Sequence, residues 1–159
     1  MFLRKIDLKK EFIKLNDGEY GEEFSVELND ENEENYNEWR VQLPGPKDSP
    51  YEGGIFELSI KFDYLGRSFP LYPPKVEFIT KIYHPFVQTS TGHTSFSFLY
   101  ENWNIDFSVY DILKKIQNEL KNPNMGNPVY EIEILRQYKD SRIDFEKTAR
   151  EWTNKYAKY

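Results

Sequence analysis

Four short stretches of alternating apolar residues, set close together, constrain the fold of this chain more than any other feature. Phe24, Val26 and Leu28 alternate with Ser25 and Glu27, and Trp39, Val41 and Leu43 repeat the pattern. Phe56, Leu58, Ile60 and Phe62 form the third stretch, after Gly53-Gly54, and Val76 and Phe78 form the fourth. A period of two places alternate side chains on one face of an extended chain, so each stretch reads as a half-buried strand. The connections read as turns and loops: Asn29 to Asn37 is polar and acidic, and Pro44-Gly45-Pro46 makes a tight reversal. Consecutive strands joined this way predict an antiparallel meander.

Helical spacing flanks the meander, which makes the class α+β. In Phe2 to Leu15, the residues Phe2, Ile6 and Ile13 share a face that Leu8, Phe12 and Leu15 widen. Arg4, Lys5, Lys9, Lys10 and Lys14 lie largely opposite, first of all a solvated basic face. Asn16-Asp17-Gly18 ends this helix. Ser108 can cap a second, running to about Lys121, with Val109, Ile112, Leu113, Ile116 and Leu120 on one side. Pro123 to Pro128 breaks it. A third helix is predicted over Glu131 to Lys139. Asp140 or Ser141 caps a last one, in which Phe145, Ala149, Trp152 and Tyr156 are spaced for one face.

Composition narrows the function classes. With no linker, repeat or low-complexity segment, the 159 residues suit one domain spanning 1–159. Aromatic residues make up 17% of the chain while mean hydropathy is −0.78, which predicts an aromatic core under a charged surface. A net charge of −6 argues against a nucleic-acid partner. No apolar run approaches a membrane span, and Met1-Phe2-Leu3-Arg4 opens no secretory signal. The reading is therefore a soluble intracellular protein, cytoplasmic or nuclear, with no membrane partner. There is no cysteine, hence no disulfide, no Cys-based metal site and no thiol nucleophile. No cofactor and no metal is expected.

Pro73 to Trp103 carries the functional signal. Pro73-Pro74 cannot donate to a central ladder and marks a strand's start or edge. After that strand, Tyr83 to Asn102 shows neither helical nor long strand periodicity, and about twenty structureless residues in a compact domain are usually functional. The stretch contains Thr80-Lys81-Ile82-Tyr83-His84-Pro85-Phe86 and Gly92-His93-Thr94-Ser95-Phe96. Upstream stands Pro44-Gly45-Pro46-Lys47-Asp48-Ser49-Pro50-Tyr51-Glu52-Gly53-Gly54. The chain ends through Tyr138-Lys139-Asp140, Phe145, Ala149-Arg150-Glu151-Trp152-Thr153 and Lys155-Tyr156-Ala157. In this order the segments resemble the ubiquitin-conjugating enzymes. That family's patterns are Gly-Pro-x-Asp-x-x-Tyr-x-Gly-Gly, Pro-Pro-Lys-Val, Thr-Lys-Ile-Tyr-His-Pro-Asn, and Gly-x-Ile-Cys-Leu with a Trp shortly after. The resemblance covers nearly the whole chain. It implies a UBC-like fold: an N-terminal helix, a four-stranded antiparallel meander, a crossover helix beside the active-site loop and two C-terminal helices.

The departures from the pattern bear on chemistry. Ser95 stands where the family has the Cys that accepts ubiquitin's C-terminal carboxyl as a thioester. A thiol titrates near pH ~8.5 and is a strong nucleophile, whereas a hydroxyl needs an activating base. The two histidines supply none: His84 matches the family's structural histidine, and His93 reads as an incidental surface residue, so no triad is expected. Phe86 stands where the family has the Asn that donates a hydrogen bond near the tetrahedral intermediate or braces the loop, and it reads as a packing residue. An oxyanion donor is typically worth ~2.7–4 kcal/mol in the barrier. Asn127 stands near the acidic residue that steers and deprotonates the incoming lysine. Tyr83 and Ser97 remain compatible with the pattern.

Two functions fit these residues. One is a non-catalytic variant that binds ubiquitin, a ubiquitin-like protein or an active conjugating enzyme. The other is an active conjugating enzyme whose Cys has been replaced by Ser95. The resemblance also names partner surfaces. Arg4, Lys5 and Lys9 lie on the first helix, where the activating enzyme and ligases dock. Leu71 takes the place of an exposed Phe that helps contact ligases, in a loop a few residues longer than the family's around Tyr64-Leu65-Gly66-Arg67. That extra length reads as an insertion in a tolerant surface loop. Asn104-Ile105-Asp106 replaces a Ser-Pro-Ala step on the same ligase-facing side. Arg40, with Ser25 and Glu27, lies on the sheet face that the family uses to bind ubiquitin without covalent attachment.

Overall fold

The structure, a computed structural model, describes residues 7–21, 23–29 and 35–158. Helix α1 spans Leu8–Asn16, and Asp7 caps it by accepting the Lys10 N–H at 3.3 Å. Strands β1 (Ser25–Leu28), β2 (Glu38–Pro44) and β3 (Ile55–Lys61) follow. A two-stranded hairpin comes next, β4 (Asp63–Tyr64) with β5 (Arg67–Ser68), and then β6 (Lys75–Phe78). Helices α2 (Val109–Lys121), α3 (Ile132–Asp140) and α4 (Arg142–Tyr156) complete the chain.

The four predicted strands form one antiparallel sheet in the order β1-β2-β3-β6. The register runs Leu28↔Trp39↔Ile60↔Val76, so the alternating apolar residues meet on one face. Trp39, Val41, Leu43, Phe56, Leu58 and Ile60 are fully buried there. The other face carries the row Glu27↔Arg40↔Ser59↔Glu77. Helix α2 adds Ile112, Leu113 and Ile116 to the core, and its start is fixed by a reciprocal bond pair. The Ser108 hydroxyl accepts the Asp111 N–H at 3.0 Å while the Asp111 carboxylate accepts the Ser108 N–H at 2.9 Å.

The high aromatic content becomes a chain of edge-to-face contacts. It runs from Phe12 through Trp39, Phe62, Phe69, Trp103 and Phe107 to Phe98. Phe98 stacks on Phe96, whose edge meets His84 in the predicted site segment.

Three expectations change. Phe2 and Ile6, at the start of the predicted first helix, lie outside the described residues; of the face drawn for it, Leu8, Phe12 and Leu15 pack on the core while Ile13 is 43% exposed. The longer loop after β3 is a paired hairpin, not irregular chain. Within the segment expected to lack structure, Ser97–Leu99 forms a 3-10 turn, and Glu77↔His93 and Val87↔Thr94 make isolated bridges.

Candidate functional site

The segment after β6 folds back onto the strand it leaves. Phe78 donates its N–H to the Gly92 carbonyl at 2.8 Å. Gly92 has φ +79, and a Cβ there would run into the Phe78 carbonyl, so this closure requires glycine. The loop is then tied across itself by Gln88 N to His93 O at 2.9 Å and Ser95 N to Phe86 O at 3.0 Å. Those bonds place Ser95 directly against Phe86.

The Ser95 hydroxyl lies 2.6 Å from the Pro128 carbonyl and 3.2 Å from that of Phe86. A hydroxyl has one hydrogen to donate, and the shorter contact takes it. Ser95 is 6% exposed. Pro128 belongs to the segment after α2, which is fastened to the same loop. Tyr130 and Glu131 both donate backbone N–H groups to Pro85 O, at 3.3 and 3.1 Å, and the Glu131 carboxylate accepts the Thr89 N–H at 2.9 Å.

Neither histidine is placed to activate Ser95. His84 is buried, and burial lowers its pKa to about 4, so the ring is neutral at pH 7. Its Nδ1 accepts the Phe86 N–H at 3.1 Å and its Nε2 faces the Glu119 carbonyl at 2.9 Å as the donor. Both nitrogens are occupied in holding the loop. His93 Nε2 lies 3.3 Å from the Glu77 carboxylate, whose other oxygen is 3.2 Å from Lys75 Nζ. The Phe86 ring is fully buried, 5.9 Å from the His84 ring, and offers no donor.

Asn127 is 3% exposed. Its Oδ1 accepts both the Ser97 N–H and the Ser97 hydroxyl at 2.9 Å, and its Nδ2 donates to Glu119 Oε2 at 2.9 Å. The same carboxylate oxygen takes the Asn124 N–H at 3.1 Å. Asn127 and Ser97 thus form an internal brace that Glu119 extends. Burial raises the Glu119 carboxyl above its ordinary pKa, and the bonds from Asn124 and Asn127 pull it partly back. Glu119 was missed in the sequence, yet it left a signal: it sits three residues after Ile116, on the apolar side of α2.

Tyr83 is a strut between the loop and the last helices. Its hydroxyl donates to Gln137 at 2.6 Å, its carbonyl accepts the Tyr51 hydroxyl at 2.6 Å, and its ring packs 5.2 Å from Trp152. Trp103 Nε1 donates to Pro70 O at 3.1 Å, which draws the segment holding half-buried Ile105 towards the one holding Leu71, 48% exposed. Arg40 pairs with Glu57 at 2.8 Å on the outer sheet face. Lys9 is exposed on α1, while Arg4 and Lys5 lie outside the described residues. Among the described residues no cluster suited to a metal ion occurs, and no helix is long and apolar enough to cross a membrane.

The model of the family described as "Ubiquitin-conjugating enzyme" matches residues 7–153. The chain belongs to that family. It is 39% identical over 126 residues to "Ubiquitin conjugating enzyme E2 B" of Dictyostelium discoideum, covering 79% of this chain and 82% of the relative. Among solved structures it is similar to a Toxoplasma gondii ubiquitin conjugating enzyme E2 domain. That match has a TM-score of 0.80 at 28% identity, over 95% of this chain and 97% of the other. The helices and the four-stranded antiparallel sheet are those of the ubiquitin-conjugating fold. Members of the family interact with ubiquitin and with activating enzymes or ligases.

Proposed function

We propose that this member of the ubiquitin-conjugating enzyme family is non-catalytic, and that it works by binding ubiquitin, a ubiquitin-like protein or an active conjugating enzyme. The observation that carries the reading is the state of Ser95, which occupies the position of the family's nucleophilic Cys. Its hydroxyl is donated to Pro128 O at 2.6 Å, and both histidines are engaged elsewhere. An alcohol so held has no base to take its proton. Phe86 removes the amide donor as well, and Asn127 removes the nearby acid. The second reading, an active enzyme with only its Cys replaced, accounts for Ser95 and leaves the loss of the amide donor at Phe86 without a reason.

Two surfaces survive these changes: the exposed side of α1 around Lys9, and the outer sheet face around Ser25, Glu27 and Arg40. Titrating labelled protein with ubiquitin, and separately with an active conjugating enzyme, is expected to shift amide resonances on one of them without any covalent product. Arg40→Glu places a carboxylate beside Glu57 and is expected to weaken a sheet-face contact. Spectra untouched by ubiquitin, activating enzyme and a set of conjugating enzymes would remove the binding reading.

A further inference from the structure

The segment after α2 crosses the candidate site as a strap. Pro128, Val129 and Tyr130 are all exposed, so residues 128–131 gain little from the apolar core. Their polar groups are turned inward. Pro128 O takes the Ser95 hydroxyl at 2.6 Å, and Tyr130 and Glu131 donate to Pro85 O at 3.3 and 3.1 Å. The Glu131 carboxylate takes the Thr89 N–H at 2.9 Å. Of these contacts only the last carries a formal charge, and charge-assisted bonds are the strong ones. Ser95, beneath the strap, is 6% exposed.

Both ends of the strap are fixed. Asn127, 3% exposed, is held by Ser97 and Glu119 on one side. On the other, Ile134 of α3 is 7% exposed and belongs to the core. Between these anchors the strap is joined to the 85–95 loop by hydrogen bonds that water can replace, with its side chains left outside. That is the make-up of a segment that opens locally, well below the cost of global unfolding. The loop beneath has ties of its own. Phe78 N to Gly92 O at 2.8 Å and Ser95 N to Phe86 O at 3.0 Å do not involve the strap, so its release leaves them standing.

We propose that residues 128–131 are an autoinhibitory strap, latched by Glu131 on the Thr89 N–H, that seals position 95 from solvent and opens as a unit. Closed, it blocks the approach of a second molecule to whatever group stands at 95. Open, it exposes that group with the rest of the loop in place. The strap is a barrier distinct from the missing base and the missing amide donor, and it acts on a thiol at 95 as on a hydroxyl. It goes beyond the non-catalytic reading, and no ubiquitin enters its test, so either can fail without the other.

The chain has no cysteine, so Ser95→Cys supplies a single thiol to probe. Its alkylation by iodoacetamide is followed by mass spectrometry on the folded chain and on the chain in urea. The thiol is expected to react at least about tenfold more slowly in the folded chain. One placed by Ser90→Cys, at an exposed position of the same loop, reacts at close to the unfolded rate. Adding Glu131→Ala to Ser95→Cys raises the folded rate at least about fivefold, and Glu131→Gln, which keeps an acceptor oxygen, raises it less. A thiol is a weaker donor than a hydroxyl, so amide hydrogen exchange is also measured on the chain that keeps Ser95. There Glu131→Ala accelerates exchange at the Tyr130 N–H at least about fivefold and leaves the Phe78 N–H unchanged. A folded thiol at 95 that alkylates at the unfolded rate overturns the proposal, because position 95 is then not sealed. Glu131→Ala that leaves either the alkylation rate or the Tyr130 exchange unchanged overturns it as well. So does acceleration of Tyr130 and Phe78 together, which would show the whole loop opening and no separate strap.

Discussion

Protonating His84 would set an imidazolium N–H against the Phe86 N–H that now donates to the ring. Burial already opposes the charge and holds the folded-state pKa at about 4. The unfolded chain takes up that proton near pH ~6.5, so the folded state loses stability as pH falls from there towards 4. The shift from 6.5 to about 4 corresponds to roughly 3 kcal/mol at the low end. Glu119 acts in the opposite direction. Its raised pKa gives a contribution fully present below ~4.5 that is lost as pH rises through the folded-state value. Urea unfolding of Glu119→Gln between pH 7 and 4.5 isolates the histidine, and a flat profile there would show that His84 is not buried neutral. At this scale much was legible. The family resemblance marked His84 as structural, and the structure buries it with both ring nitrogens engaged. That Ser95 bonds to Pro128 could not be read, because the two residues are brought together only by the path of the chain after α2.

Among the elements, α2 and the segment following it form one unit through Glu119 and Asn127. Removing either partner leaves buried polar groups unpaired, at about 1–3 kcal/mol each. A sharper test restores the acid that the family pattern places near position 127. Asn127→Asp puts a second carboxylate beside Glu119, where an amide now sits 2.9 Å away. Like charges that close do not both ionise cheaply. Asn127→Asp is therefore expected to lower stability at neutral pH, and Glu119→Gln to recover most of the loss. Additive effects in that cycle would contradict a direct contact. Whereas α1 starts at Leu8 behind the extended cap residue Asp7 and not at Phe2, the four strands and the last three helices were read correctly from periodicity, because their apolar stripes face one core. The β4–β5 hairpin was not, since Leu65 at the first position of a type I′ turn is what turn chemistry tells a reader not to expect. Ile13 misled for a related reason: the helix has two overlapping apolar stripes, and packing against Tyr36 and Trp39 selects the one through Phe12.

Across the whole molecule, the shape of a ubiquitin-conjugating enzyme persists around a site whose parts serve other purposes. Phe86 fills the core, Asn127 braces it, and Ser95 ties the loop to Pro128. Ser95→Cys is therefore expected to charge slowly and to discharge to lysine slowly, and Phe86→Asn in that background to improve discharge. Phe86→Asn also buries an amide where a ring packed, with an expected cost of about 1–3 kcal/mol in chemical unfolding. Full family-like activity from Ser95→Cys alone would contradict a decayed site. Loss of transfer is read out by incubating this chain with activating enzyme, ATP and ubiquitin. The products are then resolved on gels before and after treatment with hydroxylamine and with base. No adduct at all is expected. A hydroxylamine-resistant, base-labile ubiquitin adduct that disappears in Ser95→Ala would contradict it.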